Sequence, residues 1–196
     1  EAQRQAESLA AQGLRVIAVG DMILSDEEPV PAALTDCTLT LRGMIGLYDP
    51  PRETVKADIA ACTRAGIRTV MITGDAAKTA KSISEQIGMP TGSVLTGDDL
   101  DSMSDEALCD KVRDVSVFAR VVPAHKSRIV KAFLANGEVC AMTGDGVNDA
   151  PALKHADIGI AMGKRGSEVA REAADLILLD DDFSTIVSTV RDGRRI

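Results

Sequence analysis

Aromatic residues are nearly absent from this 196-residue chain, which contains no Trp, one Tyr and three Phe. So few aromatic rings cannot provide a platform on which nucleic-acid bases stack. Basic residues are also outnumbered, because 22 Lys and Arg face 30 Asp and Glu and leave a formal net charge of −8. Proteins that bind nucleic acid normally carry a basic patch or stripe. The composition therefore excludes a general nucleic-acid binder.

The cysteine and histidine patterns of metal sites are missing as well. The four cysteines form no CxxC pair, and no histidine lies near them at the spacing of a zinc site. Two histidines are too few for a His-rich metal site. Buried free thiols in a reducing compartment are the simpler explanation. The residues concerned are Cys37, Cys62, Cys109, Cys140, His125 and His155.

Long apolar runs and a targeting segment are also lacking. No apolar run approaches the roughly 18 residues that a membrane-spanning helix needs. No charged-then-apolar secretory signal stands at the start. The chain opens with Glu1 and continues as the middle of a helix would. We therefore expect a soluble piece of a longer protein.

What the sequence does contain is a regular alternation of apolar strands and helices, separated by short turns with glycine. This alternation is typical of a parallel sheet covered by helices on both faces. The predicted fold class is therefore α/β, with a Rossmann-like parallel sheet. Strands are predicted at residues 14–19, 39–48, 67–72, 115–119, 139–142, 158–161 and 176–179. Helices are predicted at 3–12, 53–65, 76–87, 124–135, 168–174 and from 183, with a loop at 21–31 and one short helix within 98–114.

Residues 143–153 hold the densest group of possible ligands. The strand predicted at 139–142 ends in a turn with two glycines and two carboxylates, and a helix begins behind Pro151. Asp145 and Asp149 would then lie at the carboxyl end of a strand, where open α/β sheets bind their ligands. Two carboxylates and an amide suit a hard cation such as Mg²⁺, which is held through few protein oxygens. The alternative is a Gly-rich turn capped by Asp.

The tripeptide Thr-Gly-Asp occurs three times, and its surroundings decide which copies can bind a ligand. Thr73-Gly74-Asp75 follows an apolar strand and opens a helix, so its hydroxyl and N–H groups can form an anion site. The alternative there is a plain turn with Asp75 as the helix N-cap. The copy at residues 96–98 precedes an acidic run that would repel phosphate, and we interpret it as a turn. The third copy begins the stretch 143–153.

Lys126 lies in the first turn of the helix predicted at residues 124–135, just after a strand. The helix dipole mildly disfavours a cation at this position. Neutralisation of a phosphoryl group would explain the lysine, and a solvated surface lysine is the alternative.

Taken in this order, a Thr at one strand end, a Lys at a helix start and an Asp-x-x-x-Asp at another strand end resemble motifs two to four of the haloacid dehalogenase superfamily. Longer segments are similar to the phosphorylation domain of P-type cation-transporting ATPases, above all to their calcium-pump-like branch. The resemblance covers about residues 14–196. It is carried by residues 49–52 (Asp-Pro-Pro-Arg), 71–75, 118–121, 143–153 and 157–163.

The resemblance implies an enzyme that uses ATP and Mg²⁺ and cycles through an aspartyl phosphate. It implies that Asp145 holds Mg²⁺ and that Lys126 neutralises charge on the phosphoryl group. Preorganised charge of this kind is the usual dominant contribution to phosphoryl transfer. The remaining implied roles are phosphoryl binding by Thr73 and Gly74, ordering of the phosphate and metal shell by Asn148 and Asp149, and nucleotide binding by Arg15, Asp75 and Arg120.

The nucleophile of that family is missing from this sequence. In the family it lies in Asp-Lys-Thr-Gly-Thr, upstream of the nucleotide-binding domain, and no such segment occurs here. Residues 36–40 (Asp-Cys-Thr-Leu-Thr) have a similar outline, but they follow a Pro-bearing loop and lack the Lys and the Gly, so we reject them. The missing strand should be central, between the strands that end at Thr73 and Thr143. On this basis the chain alone cannot form a phosphoenzyme.

The resemblance also implies a division of the chain into three parts. Residues 1–38 would be the tail of a nucleotide-binding domain, 39–182 a phosphorylation domain without its first strand, and 183–196 a helix leading toward a membrane segment. The parent would be a membrane pump with this part on its cytoplasmic face. Its cation, which the family suggests is Ca²⁺, would bind in membrane helices outside this chain.

Two other functions stay open. A stand-alone phosphatase of the same superfamily would need its own nucleophilic Asp after an apolar strand, and only Asp36 offers even an outline of one. A non-catalytic module that binds Mg²⁺, a nucleotide or a partner would need no nucleophile.

Overall fold

The computed structural model describes residues 2–25, 29–90 and 92–195 of the chain. Its strands are β1 (Arg15–Asp21), β2 (Thr40–Leu47), β3 (Met71–Ile72), β4 (Ser93–Thr96), β5 (Val115–Ala119), β6 (Ala141–Gly144), β7 (Ile158–Met162) and β8 (Leu176–Leu178). Its helices are α1 (Ala2–Ala11), α2 (Val55–Arg64), α3 (Ala77–Gln86), α4 (Gly97–Ser102), α5 (Asp105–Lys111), α6 (Pro123–Ala135), α7 (Ala150–His155), α8 (Glu168–Ala173) and α9 (Phe183–Gly193). Two short 3₁₀ turns lie at Leu34–Asp36 and Val147–Asp149.

β1 and β2 form an antiparallel ribbon that is a sheet of its own. Arg15 pairs with Leu47 and Asp21 with Thr40. Apolar side chains of the ribbon, such as that of Ile45, remain about half exposed. The predicted boundary after residue 38 falls between these two paired strands, and the division of the chain into three parts stays a prediction.

The other six strands of the described ranges form two parallel sheets, in the orders β3-β5-β4 and β6-β7-β8. Every ladder within them is parallel, and helices connect successive strands. All five residues of β5 are buried, as expected for a parallel strand that is covered on both faces. The predicted α/β class is confirmed.

Different clusters of buried apolar side chains lie against the two parallel sheets. The first cluster includes Phe118 of β5, Leu100 of α4 and Ile129 of α6, all fully buried. The second includes Leu153 of α7 and Val130 of α6. Helix α6 therefore packs against both cores through neighbouring residues.

A groove of about 770 Å³ lies between the two parallel sheets, along the edges of β3 and β6. Within the described ranges β3 pairs only with β5, and β6 only with β7, so each strand turns one backbone edge to the groove. Helix α6 lines the groove with Lys126, Ile129 and Phe133, and the C-terminal segment lines it with Val190 of α9 and Arg194, the residue after α9. The groove thus separates the two parallel sheets at the position where the family resemblance implies a missing central strand.

Two predicted elements are corrected by the structure. β3 covers only Met71–Ile72 rather than residues 67–72, because its ladder with β5 extends over just these two residues. The acidic stretch 98–114 holds two helices rather than one. The second begins because the hydroxyl of Ser104 accepts the N–H of Ala107 at 3.2 Å and caps a new first turn.

The copy of Thr-Gly-Asp at residues 96–98 is also more ordered than the predicted turn. Thr96 ends β4 and caps α4, since its hydroxyl accepts the Asp99 N–H and the Asp99 carboxylate accepts the Thr96 N–H at 2.8 Å. This reciprocal pair is a capping box. β6 covers Ala141–Gly144 rather than residues 139–142, so it both begins and ends two residues later than predicted and includes Thr143 and Gly144. In the predicted loop 21–31, residues 26–28 lie outside the described ranges.

Candidate functional site

Three of the predicted motifs lie near one end of the groove. Lys126, Asp145 and Asp149 all line it. Thr73 directly follows Ile72, the last residue of β3, which also lines the groove. The sequence order strand–turn–helix thus delivers residues that are far apart in the chain to the same end of two sheets, as parallel strands do.

Lys126 and Asp149 form a largely buried ion pair. The ammonium group of Lys126 donates to one carboxylate oxygen of Asp149 at 2.5 Å, and the two side chains are 19% and 8% exposed. A short contact between charged groups that are both withdrawn from water is far more directional than a surface pair. The first turn of α6 is thereby fastened to the 3₁₀ turn that follows β6.

The second carboxylate oxygen of Asp149 organises the turn after β6. It accepts the backbone N–H of Asp145 at 3.2 Å and that of Gly146 at 3.0 Å. Gly144 makes room for this carboxylate, because a Cβ on Gly144 would lie 2.5 Å from the Cβ of Asp149. Asp149 therefore binds Lys126 through one carboxylate oxygen and holds the turn through the other.

Asp145 is different, because its side chain is exposed and makes no hydrogen bond or ion pair within the described part of the chain. Its backbone carbonyl accepts the N–H of Ser167 at 2.7 Å, which fixes the residue from behind. No group of three or more His, Cys, Asp or Glu among the described residues is arranged to hold a metal. One free carboxylate at a strand end still fits Mg²⁺, which uses one or two carboxylates together with phosphate and water.

Thr73 and Asp75 form a compact turn at the end of β3. The Thr73 hydroxyl donates to the Asp75 carboxylate at 3.0 Å and accepts the Asp75 N–H at 3.1 Å. The backbone N–H of Arg120 donates to the carbonyl of Asp75, and that of Val121 to the carbonyl of Thr73. Gly74 has no atom within 4 Å of where its Cβ would be, so its backbone is open to a ligand. The turn is thus tied to the segment that leads into α6.

The side chains of the remaining predicted site residues make no hydrogen bond or ion pair with this group within the described part of the chain. Arg15 lies in the exposed ribbon, on β1. Asn148 is exposed on the 3₁₀ turn. Arg120 is exposed and has a backbone φ of 51°, and only its main chain reaches the Thr73 turn. Their predicted roles in binding nucleotide and ordering the phosphate stay predictions.

Sequence reasoning missed Asp181, which supports the site from a distance. Its buried carboxylate accepts the N–H groups of Lys164 and Arg165 at 3.0 and 2.9 Å. Burial alone would raise the pKa of this carboxyl, but these hydrogen bonds and the charge of Arg165 bring the pKa below its ordinary value. The loop that contains Lys164 and Arg165 continues to Ser167, whose N–H donates to the carbonyl of Asp145. A run of three aspartates at 180–182 was the available signal.

Cys140 lies in the wall of the groove, at the start of the edge that β6 presents. Burial raises the pKa of its thiol, and the nearby carboxylates of Asp157 and Glu138 raise it further. The thiol is therefore held in its neutral, weakly nucleophilic form. It is an apolar part of the groove rather than a reactive group.

No helix within the described ranges is both long and apolar enough to cross a membrane.

Comparison with known proteins places this geometry in a family context. The family model for haloacid dehalogenase-like hydrolases matches residues 20–157. "Calcium-transporting ATPase 1" of Saccharomyces cerevisiae is 48% identical over 196 residues, which cover 97% of this chain and 20% of the yeast protein. "Calcium-transporting ATPase" of Bacillus subtilis is 48% identical over 190 residues, covering 96% of this chain and 21% of that protein.

A third relative carries a less specific name. "Probable cation-transporting ATPase F" of Mycobacterium tuberculosis is 46% identical over 205 residues, which cover 98% of this chain and 22% of the relative. The chain therefore spans about a fifth of the length of the relatives that it matches.

Proposed function

The chain belongs to the haloacid dehalogenase-like hydrolases, and we propose that it is the phosphorylation-site part of a P-type cation-transporting ATPase. In this proposal the parent protein transfers the γ-phosphoryl group of ATP to an aspartate and then hydrolyses the aspartyl phosphate to drive transport. The names of the similar proteins support a pump of this type and suggest Ca²⁺ as the cation. The cation would bind outside this chain, and the chain would lie on the cytoplasmic face of the membrane that holds the parent.

The observation that carries the proposal is the arrangement of charge at the end of the groove. Lys126 provides a cation that is already desolvated and held by Asp149. Asp145 provides a carboxylate that no described group engages. A cation and a free metal ligand at the carboxyl end of parallel strands are what transfer of a highly charged phosphoryl group requires.

The groove gives the reason that the site is incomplete in this chain. Its two walls are the unpaired edges of β3 and β6. An extended segment lying between them, parallel to both, could pair on each side and join the two sheets into one. We propose that this segment carries the phosphorylated aspartate at its carboxyl end, beside Asp145 and Lys126.

Each site residue then has a defined task. Asp145 would hold Mg²⁺, which offsets negative charge on the phosphoryl oxygens. Lys126 neutralises further charge, and Asp149 holds Lys126 and the turn of Asp145 in place. The Thr73 hydroxyl, whose present partner is Asp75, and the open backbone of Gly74 would bind phosphoryl oxygens. All of these groups are preorganised by the fold, so they need little rearrangement when the charge develops.

The proposal assigns nucleotide binding to Asp75, Arg120 and Arg15. Asp75 and Arg120 are joined through their main chains beside the Thr73 turn, and this proximity to the site supports a role for both in binding ATP. Arg15 lies on the ribbon, and its proposed reach to the ATP phosphates depends on how the ribbon approaches the groove. Asn148 is exposed on the turn between Asp145 and Asp149, so it is free to order the phosphate and metal shell.

A stand-alone phosphatase is the weaker alternative. Asp36 lies in an exposed 3₁₀ turn after an irregular segment, whereas a nucleophile of this family should end a buried strand. It does not line the groove that contains Lys126 and Asp145. No observation favours it over the missing-strand arrangement.

Titration of the chain with a synthetic peptide tests the proposal. The peptide has about five apolar residues, the usual strand length, followed by Asp-Lys-Thr-Gly-Thr, and binding is measured by calorimetry with and without Mg²⁺. We expect the peptide to bind and Mg²⁺ to tighten the complex. A peptide of the same composition in scrambled order should not bind.

Two variants make the test specific. Asp145→Asn should retain peptide binding but lose its dependence on Mg²⁺, and Asp→Asn in the peptide should do the same. The matched control is Asp98→Asn, which removes an exposed carboxylate elsewhere. Absence of binding, or binding that neither Mg²⁺ nor Asp145→Asn changes, would overturn the proposal and leave a non-catalytic module.

A further inference from the structure

His125 is one of the most deeply buried polar residues of the chain, with 5% of its surface exposed. It lies in the first turn of α6, immediately before Lys126. One ring nitrogen, Nδ1, accepts the backbone N–H of Val122 at 3.3 Å. The other, Nε2, lies 2.8 Å from a carboxylate oxygen of Asp101, which belongs to α4. Both ring nitrogens are therefore used.

The hydrogen-bond partners determine the tautomer of this histidine. A backbone N–H can only donate, so Nδ1 must offer its lone pair to Val122. The proton then lies on Nε2, where it is donated to the carboxylate of Asp101. The imidazole therefore connects the carboxylate of Asp101, on α4, to the backbone N–H of Val122, the residue at which α6 begins.

Helix α6 begins with Pro123, which is common at a first helical position, but its start lacks a capping side chain and an acidic residue. Its N-cap, Val122, has no side-chain acceptor, and the first turn contains no acidic residue. Lys126 adds a positive charge where the helix dipole is already positive. At the third position of the helix, the Nδ1 atom of His125 accepts the N–H of Val122, as a Glu or Gln side chain does in a capping box, and Asp101 supplies a negative charge from outside the helix.

The ring is also confined by the neighbouring backbone. A Cβ on Gly97 would lie 3.2 Å from the Cε1 atom of His125 and 2.4 Å from the carbonyl oxygen of Arg120. The same Arg120 donates its N–H to Asp75, in the turn at the end of β3. The segment from Arg120 to Lys126, which is bonded to the Thr73 turn at one end, is thus held by the ring of His125 through its hydrogen bond with Val122.

We propose that His125 and Asp101 are positioning residues for Lys126, fixing the first turn of α6 so that the ammonium group points to Asp149 and the end of the groove. The importance of that position for catalysis rests on the proposed function, but the positional link itself does not. Neither residue touches the groove, since neither is among the residues that line it.

The test measures how readily the Lys126 amine reacts with an acylating reagent in the whole chain. Acylation at each lysine is followed by mass spectrometry, and Lys131, exposed on the same helix, is the internal reference. In Asp101→Ala we expect Lys126 to react roughly two- to fivefold faster, the size of an electrostatic contribution at a helix terminus. The rate at Lys131 should not change.

Two further variants separate positioning from general loosening. Asp105→Ala removes another exposed carboxylate that contacts α6, through Arg128, and should leave the Lys126 rate unchanged. Because Asp101 and Asp105 are both largely exposed, neither variant should prevent folding. His125→Asn keeps an acceptor for Val122 and should react more slowly at Lys126 than His125→Ala. The nitrogen chemical shifts of the His125 ring should show the proton on Nε2.

An unchanged Lys126 rate in Asp101→Ala, or an equal rise in Asp105→Ala, would overturn the inference. The experiment contains neither peptide nor Mg²⁺. A failure of the peptide titration would therefore count against the proposed function without affecting this result, and the reverse also holds.

Discussion

Gly144 and Asp149 lie so close together that a Cβ atom on Gly144 would be 2.5 Å from the Cβ of Asp149. The carboxylate of Asp149 cannot retreat, because Lys126 holds one of its oxygens and two backbone N–H groups hold the other. Gly144 is not among the glycines with a positive φ. Space, and not backbone conformation, is therefore what requires glycine at this position.

Gly144→Ala should destabilise the chain by about 1–3 kcal/mol, the usual effect of overpacking a tight site. Urea unfolding measures the change. The control is Gly74→Ala, because a Cβ on Gly74 would meet no atom within 4 Å. Equal stability losses in the two variants would show that the close contact with Asp149 is not the cause.

Lys126→Met should destabilise the chain by roughly 3–5 kcal/mol, since it leaves the buried carboxylate of Asp149 without its cation. Lys131→Met, on an exposed position of the same helix, should be nearly neutral. Adding Asp149→Asn to Lys126→Met should recover a large part of the loss, because the unpaired charge is then removed as well. Chemical denaturation of Lys126→Met, Asp149→Asn and the double variant measures this coupling. If the stability losses of the two single variants sum to the loss of the double variant, the two residues are not energetically coupled.

Asp181→Asn should reduce stability at neutral pH, and the difference from the unchanged chain should narrow as the solution is acidified. The pKa of this carboxyl is lowered in the folded state, so the unfolded state binds protons more readily between the two pKa values. The stabilising contribution is therefore complete above the ordinary pKa of about 3.9 and is lost as the pH falls through the lowered value.

Thermal unfolding from pH 7 down to pH 3 measures this dependence. Asp98→Asn removes an exposed carboxylate and should give no such narrowing. The lowered pKa would not be the cause if the difference in unfolding temperature between Asp181→Asn and the unchanged chain stayed constant across the acidic range.

Cys140 should react slowly with a thiol reagent at pH 8, and more slowly still when the strand peptide is bound. The raised pKa leaves little thiolate, and the peptide would cover the groove wall to which the thiol belongs. Glu138→Gln should accelerate the reaction by removing one of the charges that raise the pKa. Modification is followed at each cysteine by mass spectrometry, with Cys37, which lies outside the groove, as the reference. Protection of both cysteines to the same degree would indicate that the peptide does not bind in the groove.

Much of the fold could be predicted because it is encoded locally. β5 was predicted at the residues that form it, since a short apolar segment interrupted only by Ser116 and bounded by polar residues is typical of a buried strand. Helix α6 was predicted to within one residue of its start. β3 was predicted too long because a strand's length depends on its neighbours, and among the described residues only β5 pairs with it.

The site was predictable in its members but not in its internal contacts. Lys126 and Asp149 are 23 positions apart, and no local pattern states that they form an ion pair. Thr73 was predicted to bind anions, yet its hydroxyl is engaged by Asp75. His125 was weighed only as a possible metal ligand, and its bond to Asp101 depends on α6 and α4 meeting in the fold. Such contacts exist only in the folded chain.

The groove has a thermodynamic consequence beyond chemistry. The buried side chains of the two parallel sheets belong to different apolar clusters, which are joined by α6, through Ile129 and Val130, and by the partly buried Ile72 of β3. Regions with different core clusters can open independently, so each half-sheet can exchange its amide hydrogens at its own rate. A strand seated between them would make the two halves protect each other. Hydrogen exchange would then report a single cooperative unit where the chain alone has two.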